Sequence, residues 1–203
     1  MPDRTIVLAS ASPRRAQLLK GLGIDFVVQP SQAIERPNPN ELPVDYIMRT
    51  ARAKAHEVAG GRGSGLIIAA DTEVVADGTI LGKPADKEAA RRMLRMLSGR
   101  AHEVITGLVL CDAATGREEE GYERSIVRMA PLSDEEIDWY VSTGEPFDKA
   151  GGYGIQGLAS VFIEEISGTY HNVVGLPLSL LYRLSRELGY PLLEELKSVN
   201  KKL

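Results

Sequence analysis

A strand that passes almost at once into a helix is the feature that most constrains this chain. Residues 5–9, TIVLA, are apolar and rich in β-branched side chains, the pattern of a short buried strand. The run continues through SASPRR into a helical stretch that reaches about Leu22. Ser12 followed by Pro13 predicts the helix start, because Ser can accept a bond from a first-turn amide and Pro is preset for the first helical position. Strands and helices alternate along the rest of the sequence, which predicts an α/β or α+β architecture with a mixed sheet.

ERPNPNELP reads as a loop, and Ile47, Ala51, Lys54, Ala55 and Val58 then recur at helical spacing until AGGRGSG ends the helix. LIIAADTEVVADGTILGKP predicts a buried strand, a break at Asp71 and a hairpin turning at Asp77 and Gly78. In the next helix Asp86 is the cap, Ala90, Met93, Leu94 and Leu97 share a face, and Gly99 closes it. HEVITGLVLCD and the region of ERSIVRMA predict two strands joined through AATG. Ser133 and Glu136 fit a capping box for a helix ending before Gly144. GEPFDKAGGYGIQGLAS has too many glycines for a regular element and reads as a functional loop. A hairpin around Ser167 and Gly168, a last helix over 178–188 and a frayed tail over 190–203 complete the expectation.

Two cations in the first turn of the opening helix, Arg14 and Arg15, are electrostatically misplaced, since the amide dipoles make that end positive. They make sense around a phosphate chain held by free amides, with Ser10 and Ser12 donating further bonds. The alternative is that both point into water and pair with nearby acids. A net charge of -4 disfavours a general nucleic-acid groove, so a polyanion site must be a local cluster. Cys111 is the only cysteine, which excludes an intrachain disulfide and a cysteine zinc cage. With no signal pattern and no apolar run of membrane-spanning length, the expectation is a cytoplasmic protein without membrane or nucleic-acid partners.

Asp71 ends the apolar run GLIIAAD, a place where a carboxylate can bind a divalent cation or take a proton from water. The competing reading is a turn residue capping Glu73. Glu35 lies in the polar loop SQAIERP. Lys83 follows a strand and precedes Pro84, so its backbone is held extended. Lys54 sits between alanines on an inward helix face, from which a lysine can snorkel to water. Together Arg14, Arg15, Lys54 and Lys83 could offer several cations to one anionic small substrate. The Gln156 amide carries a donor beside an acceptor and can match a base edge presenting a carbonyl beside an N–H, as uracil and thymine do. His56, His102 and His171 lack metal-ligand spacing and read as structural or surface residues.

LASASPRRAQLL, AADT, ILGKP, MLRMLSGRAHEVITG, EPFDKAGGYGIQG and SGTYHNVVGLPL, in this order, resemble the Maf family of nucleotide pyrophosphatases over residues 6 to about 188. The resemblance implies one domain over residues 1–203, an elongated α/β fold whose central mixed sheet with flanking helices lines a deep cleft between two lobes. It implies cleavage of a nucleoside triphosphate between the α and β phosphates with a divalent metal, Mg²⁺ or Mn²⁺, and a homodimer. The subgroup with a DKAGGYGIQG-like loop acts on dTTP and UTP, in a housecleaning role; one acting on 7-methyl-GTP lacks the Tyr-Gly-Ile-Gln run. The family has also been associated with arrest of septum formation, which suggests a nucleotide-binding regulator as the alternative. Asp71 matches the proton acceptor, and Arg14, Thr72 and Gln156 match positions tied to substrate choice. Lys54 and Lys83 would offset phosphate charge beside Asp71, Ser10 and Arg15 would bind phosphate, and Glu35 and Asp71 would hold the metal.

Overall fold

The computed structural model describes residues 5–190 and 192. All of the tail expected to fray, except Tyr190 and Leu192, lies outside the described residues. The chain divides into two compact units. One comprises Met1–Asp71, Thr106–Glu123 and Gly175–Leu203, the other Thr72–Ile105 and Arg124–Val174.

The sheet has seven strands: β1 (Ile6–Leu8), β2 (Val27–Val28), β3 (Leu66–Ala76), β4 (Thr79–Leu81), β5 (Ala101–Asp112), β6 (Glu118–Met129) and β7 (Ile163–Ser167). Their order is β2-β1-β3-β5-β6-β7, with β4 paired to β3. The sheet is mixed: β1 runs parallel to β2 and β3, whereas β4 on β3 and β7 on β6 are antiparallel. The helices are α1 (Pro13–Gly21), α2 (Pro43–Gly60), α3 (Lys87–Leu97), α4 (Asp134–Ser142), α5 (Tyr170–Val174) and α6 (Leu178–Leu188).

In the first unit the strands sort their side chains by parity, because successive residues of a strand face opposite ways. Ile6, Leu8, Leu66, Ile68, Ala70, Leu108 and Leu110 pack with Leu19 of α1 and Leu180, Leu181 and Leu184 of α6. Val7, Ala9, Ile67, Ala69, Val109 and Cys111 form the opposite core with Met48, Ala51, Ala55 and Val58 of α2. Both faces are covered, which is why these strands read as continuous apolar runs. Residue 71 falls by parity on the α2 side. Burial also pushes the Cys111 thiol up. In the second unit Ala90, Leu94 and Leu97 of α3 and Ile137, Tyr140 and Val141 of α4 pack with Val74, Val104, Val127 and Met129.

The helix ends follow local chemistry. Asp86 accepts from the Ala89 amide at 2.7 Å, and Ser133 and Glu136 form the reciprocal capping box. The β3–β4 hairpin turns at Asp77 and Gly78, both at positive φ. Three expectations are corrected. Pro13 opens α1, but the Ser12 side chain makes no capping bond; its own amide donates to Ser10 Oγ at 3.2 Å instead. There is no break at Asp71, since β3 runs through it from Leu66 to Ala76. No hairpin forms at Ser167 and Gly168: β7 ends at Ser167, and Gly168, at positive φ, leads through Thr169 into α5.

Candidate active site

The continuous course of β3 places the Asp71 carboxylate on the sheet face that α2 covers, and Lys54 approaches from the same inward face of α2 as Ala51, Ala55 and Val58. Lys54 Nζ donates to Asp71 Oδ1 at 2.7 Å and pairs with Glu35 Oε1 at 2.8 Å. Asp71 is 3% exposed and Lys54 7% exposed, while Glu35 sits on the loop before α2 with its side chain substantially exposed. Lys54 therefore does not snorkel, and Asp71 is no turn residue capping Glu73. An ammonium bridges two carboxylates, one buried and one wet. The second buried oxygen, Asp71 Oδ2, accepts no hydrogen bond, and a buried acceptor without a donor is costly unless something else fills it.

The SASPRR segment folds on itself. Ser10 and Arg15 are buried. Arg15 donates from Nε to the Gly175 carbonyl at 2.7 Å and from Nη1 to Ser10 Oγ at 3.0 Å. Ser10 Oγ thus accepts both this bond and that of the Ser12 amide, so its own proton is directed elsewhere as a donor. The two arginines separate in function: Arg15 braces the loop against Gly175, and Arg14 is half-buried on the first turn of α1.

The second unit carries the remaining positions. Thr72 is half-buried on β3, and Lys83 is exposed after β4. Gln156 is exposed in a segment whose regular pieces are short 3₁₀ turns at Glu145–Asp148, Ala150–Gly152 and Leu158–Phe162. Tyr153 anchors this segment through a 2.6 Å hydrogen bond between its hydroxyl and His102 Nε2, both residues being buried. Burial holds the imidazole down at about 4 and pushes the phenol up. Of the structural and surface alternatives that the sequence offers for His102, the structural one holds; the sequence does not single out Glu145 and Tyr140, which bond to each other at 3.0 Å. A glutamate opening a glycine-rich run was the only available signal.

Among the described residues no three or more His, Cys, Asp or Glu side chains cluster in a way that could hold a metal. Asp71 and Glu35 form only a pair.

A profile described as "Maf-like protein" matches residues 5–188. The chain belongs to the Maf family. Relatives agree across nearly the whole length. A protein of Anaeromyxobacter dehalogenans named dTTP/UTP pyrophosphatase is 50% identical over 189 residues, covering 92% of this chain and 95% of that protein. One of the same name from Symbiobacterium thermophilum is 48% identical over 188 residues, again covering 92% and 95%. Among solved structures, the Staphylococcus aureus Ham1 protein aligns with a TM-score of 0.47 and 15% identity, covering 63% of this Maf family chain and 72% of its own.

Proposed function

We propose that this Maf family protein is a hydrolase that cleaves dTTP and UTP to the nucleoside monophosphate and pyrophosphate. The observation that carries the reading is the buried Asp71 carboxylate, with one oxygen on the Lys54 ammonium and the other unbonded. A carboxylate in this state can receive a proton. A water beside Oδ2 attacks the α phosphorus in line, and the bond from that phosphorus to the bridging oxygen breaks. Pyrophosphate leaves with the electron pair, and Asp71 Oδ2 takes the proton of the water.

Lys54 offsets half of the charge of the two carboxylates, which reduces the negative charge that a polyanion meets. Ser10, braced by Arg15, offers its hydroxyl proton to phosphate oxygens, and Arg14 stands on the positive end of α1. Lys83 offsets phosphate charge, Thr72 contributes to substrate choice, and Gln156 reads the base edge shared by uracil and thymine. Asp71 and Glu35 are hard oxygen donors, and these two carboxylates would hold a divalent cation, Mg²⁺ or Mn²⁺. When bound, the ion would supply positive charge to phosphate oxygens. The reading includes a cytoplasmic location and a homodimer. No described helix is long and apolar enough to cross a membrane.

A panel of dTTP, UTP, CTP, ATP, GTP and 7-methyl-GTP, assayed with Mg²⁺ for monophosphate and pyrophosphate, tests this. Turnover highest on dTTP and UTP with pyrophosphate as first product is expected. Orthophosphate as first product, or preference for 7-methyl-GTP, would overturn it.

A further inference from the structure

Gln156 stands at the third position of a four-residue turn, because the Gly157 amide donates to the Gly154 carbonyl at 3.1 Å. Its side chain is exposed, so nothing about the glutamine itself fixes where its amide points. The backbone beneath it is held by one carboxylate. Glu145 Oε2 accepts from the Leu158 amide at 3.0 Å, just after the turn. Glu145 Oε1 accepts from the Tyr140 hydroxyl at 3.0 Å, and the Gly154 amide lies on the side of that same phenolic oxygen, where it favours negative charge. The far end of the turn is tied to Glu145 directly, and its near end faces the Tyr140 hydroxyl that Glu145 holds.

The packing is as close as the bonding. A Cβ at Gly157 would stand 2.1 Å from Glu145 Oε1, and one at Gly154 would stand 2.5 Å from Lys149 Cε. Lys149 in turn donates from Nζ to the Glu145 carbonyl at 2.7 Å. A side chain at either end would have to displace this carboxylate or this lysine stem, which form the bed on which the turn lies. Tyr140 is fully buried, and burial together with the Glu145 carboxylate keeps its phenol protonated. It is a permanent donor to Glu145.

We propose that Glu145 is a positioning residue that, with Tyr140 as its relay, sets the orientation of Gln156 and through it the preference for a uracil or thymine edge. The inference rests on the dTTP/UTP reading given above. Glu145 meets neither base nor phosphate and acts only through the turn. Glu145→Gln removes one of the two acceptors without changing volume, and Tyr140→Phe removes the relay alone.

The test measures kcat and KM for UTP and CTP, which differ only at the base edge, in wild type, Glu145→Gln and Tyr140→Phe. Amide exchange across residues 154–158 is followed in parallel. In both variants the UTP-to-CTP ratio of kcat/KM is expected to fall about ten-fold, the factor one well-placed hydrogen bond is worth. The loss falls on KM for UTP, with kcat close to wild type and faster exchange at Gly157 and Leu158. An unchanged ratio in the variants, or an equal loss on both nucleotides, would overturn the proposal. Should Glu145→Gln not fold, Tyr140→Phe decides by the same ratio. A wild type that does not prefer UTP defeats the dTTP/UTP reading instead; exchange at residues 154–158 then shows whether Glu145 braces the turn, and unchanged exchange removes that role too.

Discussion

Gly107 of β5 lies so close beneath Ile47 of α2 that a methyl group at position 107 would stand 2.9 Å from Ile47 Cγ2 and 3.0 Å from Met48 Sδ. The absent side chain lets α2 settle on the strands, and Lys54 sits about two turns further along the same helix. Gly107→Ala is expected to cost about 1–3 kcal/mol through overpacking and to lower turnover by lifting Lys54 away from Asp71. Thermal melting paired with steady-state kinetics checks this; an unchanged melting temperature would show that the helix can yield.

Asp71→Asn keeps the shape of the side chain and removes its ability to take a proton. Turnover on dTTP is expected to fall about 10²–10⁴-fold, the usual worth of a positioned acid or base, with the circular dichroism spectrum and melting transition retained. Activity within a few-fold of wild type would show that another group receives the proton.

Lys54→Met should damage stability more than Asp71→Asn does. Losing the ammonium leaves Asp71 charged and buried, at a cost of about 3–5 kcal/mol, whereas Lys54 without Asp71 still has Glu35 at 2.8 Å. Urea unfolding of the two single variants and of Lys54→Met combined with Asp71→Leu tests the asymmetry. The double variant is expected to recover much of the loss, because no unpaired buried charge remains.

His102 gives the protein a pH signature. Its folded value of about 4 lies below the ordinary 6.5, so between these values the unfolded chain binds a proton that the folded one excludes. Stability is fully present above about pH 6.5 and is lost as pH falls towards 4, by about 3 kcal/mol for this residue. Denaturant titrations at pH 7.5, 6 and 4.5 should show the loss in wild type and a shallower one in His102→Gln. Parallel curves for the two proteins would remove His102 from the account.

The helices were legible because spacing and caps act locally. Ala90, Leu94 and Leu97 behind Asp86, and the Ser133–Glu136 box, announce themselves within a few residues. Asp71 was legible as a candidate but not as a strand interior, since a carboxylate after an apolar run looks like an end until its partner from α2 is known. Arg14 and Arg15 are alike in sequence, and what separates them includes the distant Gly175 carbonyl, 160 positions from Arg15. Glu145 was invisible for the same reason: its importance lies in what its two oxygens reach at Tyr140 and Leu158, which no periodicity encodes.

The unbroken course of β3 through Asp71 bears on how the centre handles changes in charge during a cycle. Asp71 is carried by the middle of a continuous strand, while Glu35, on the far side of the same ammonium, lies on an irregular segment open to water. The two carboxylates thus differ in backbone support. On the proposed reading, changes of charge would be met at the Glu35 side, and the strand would keep the Asp71 oxygen in register.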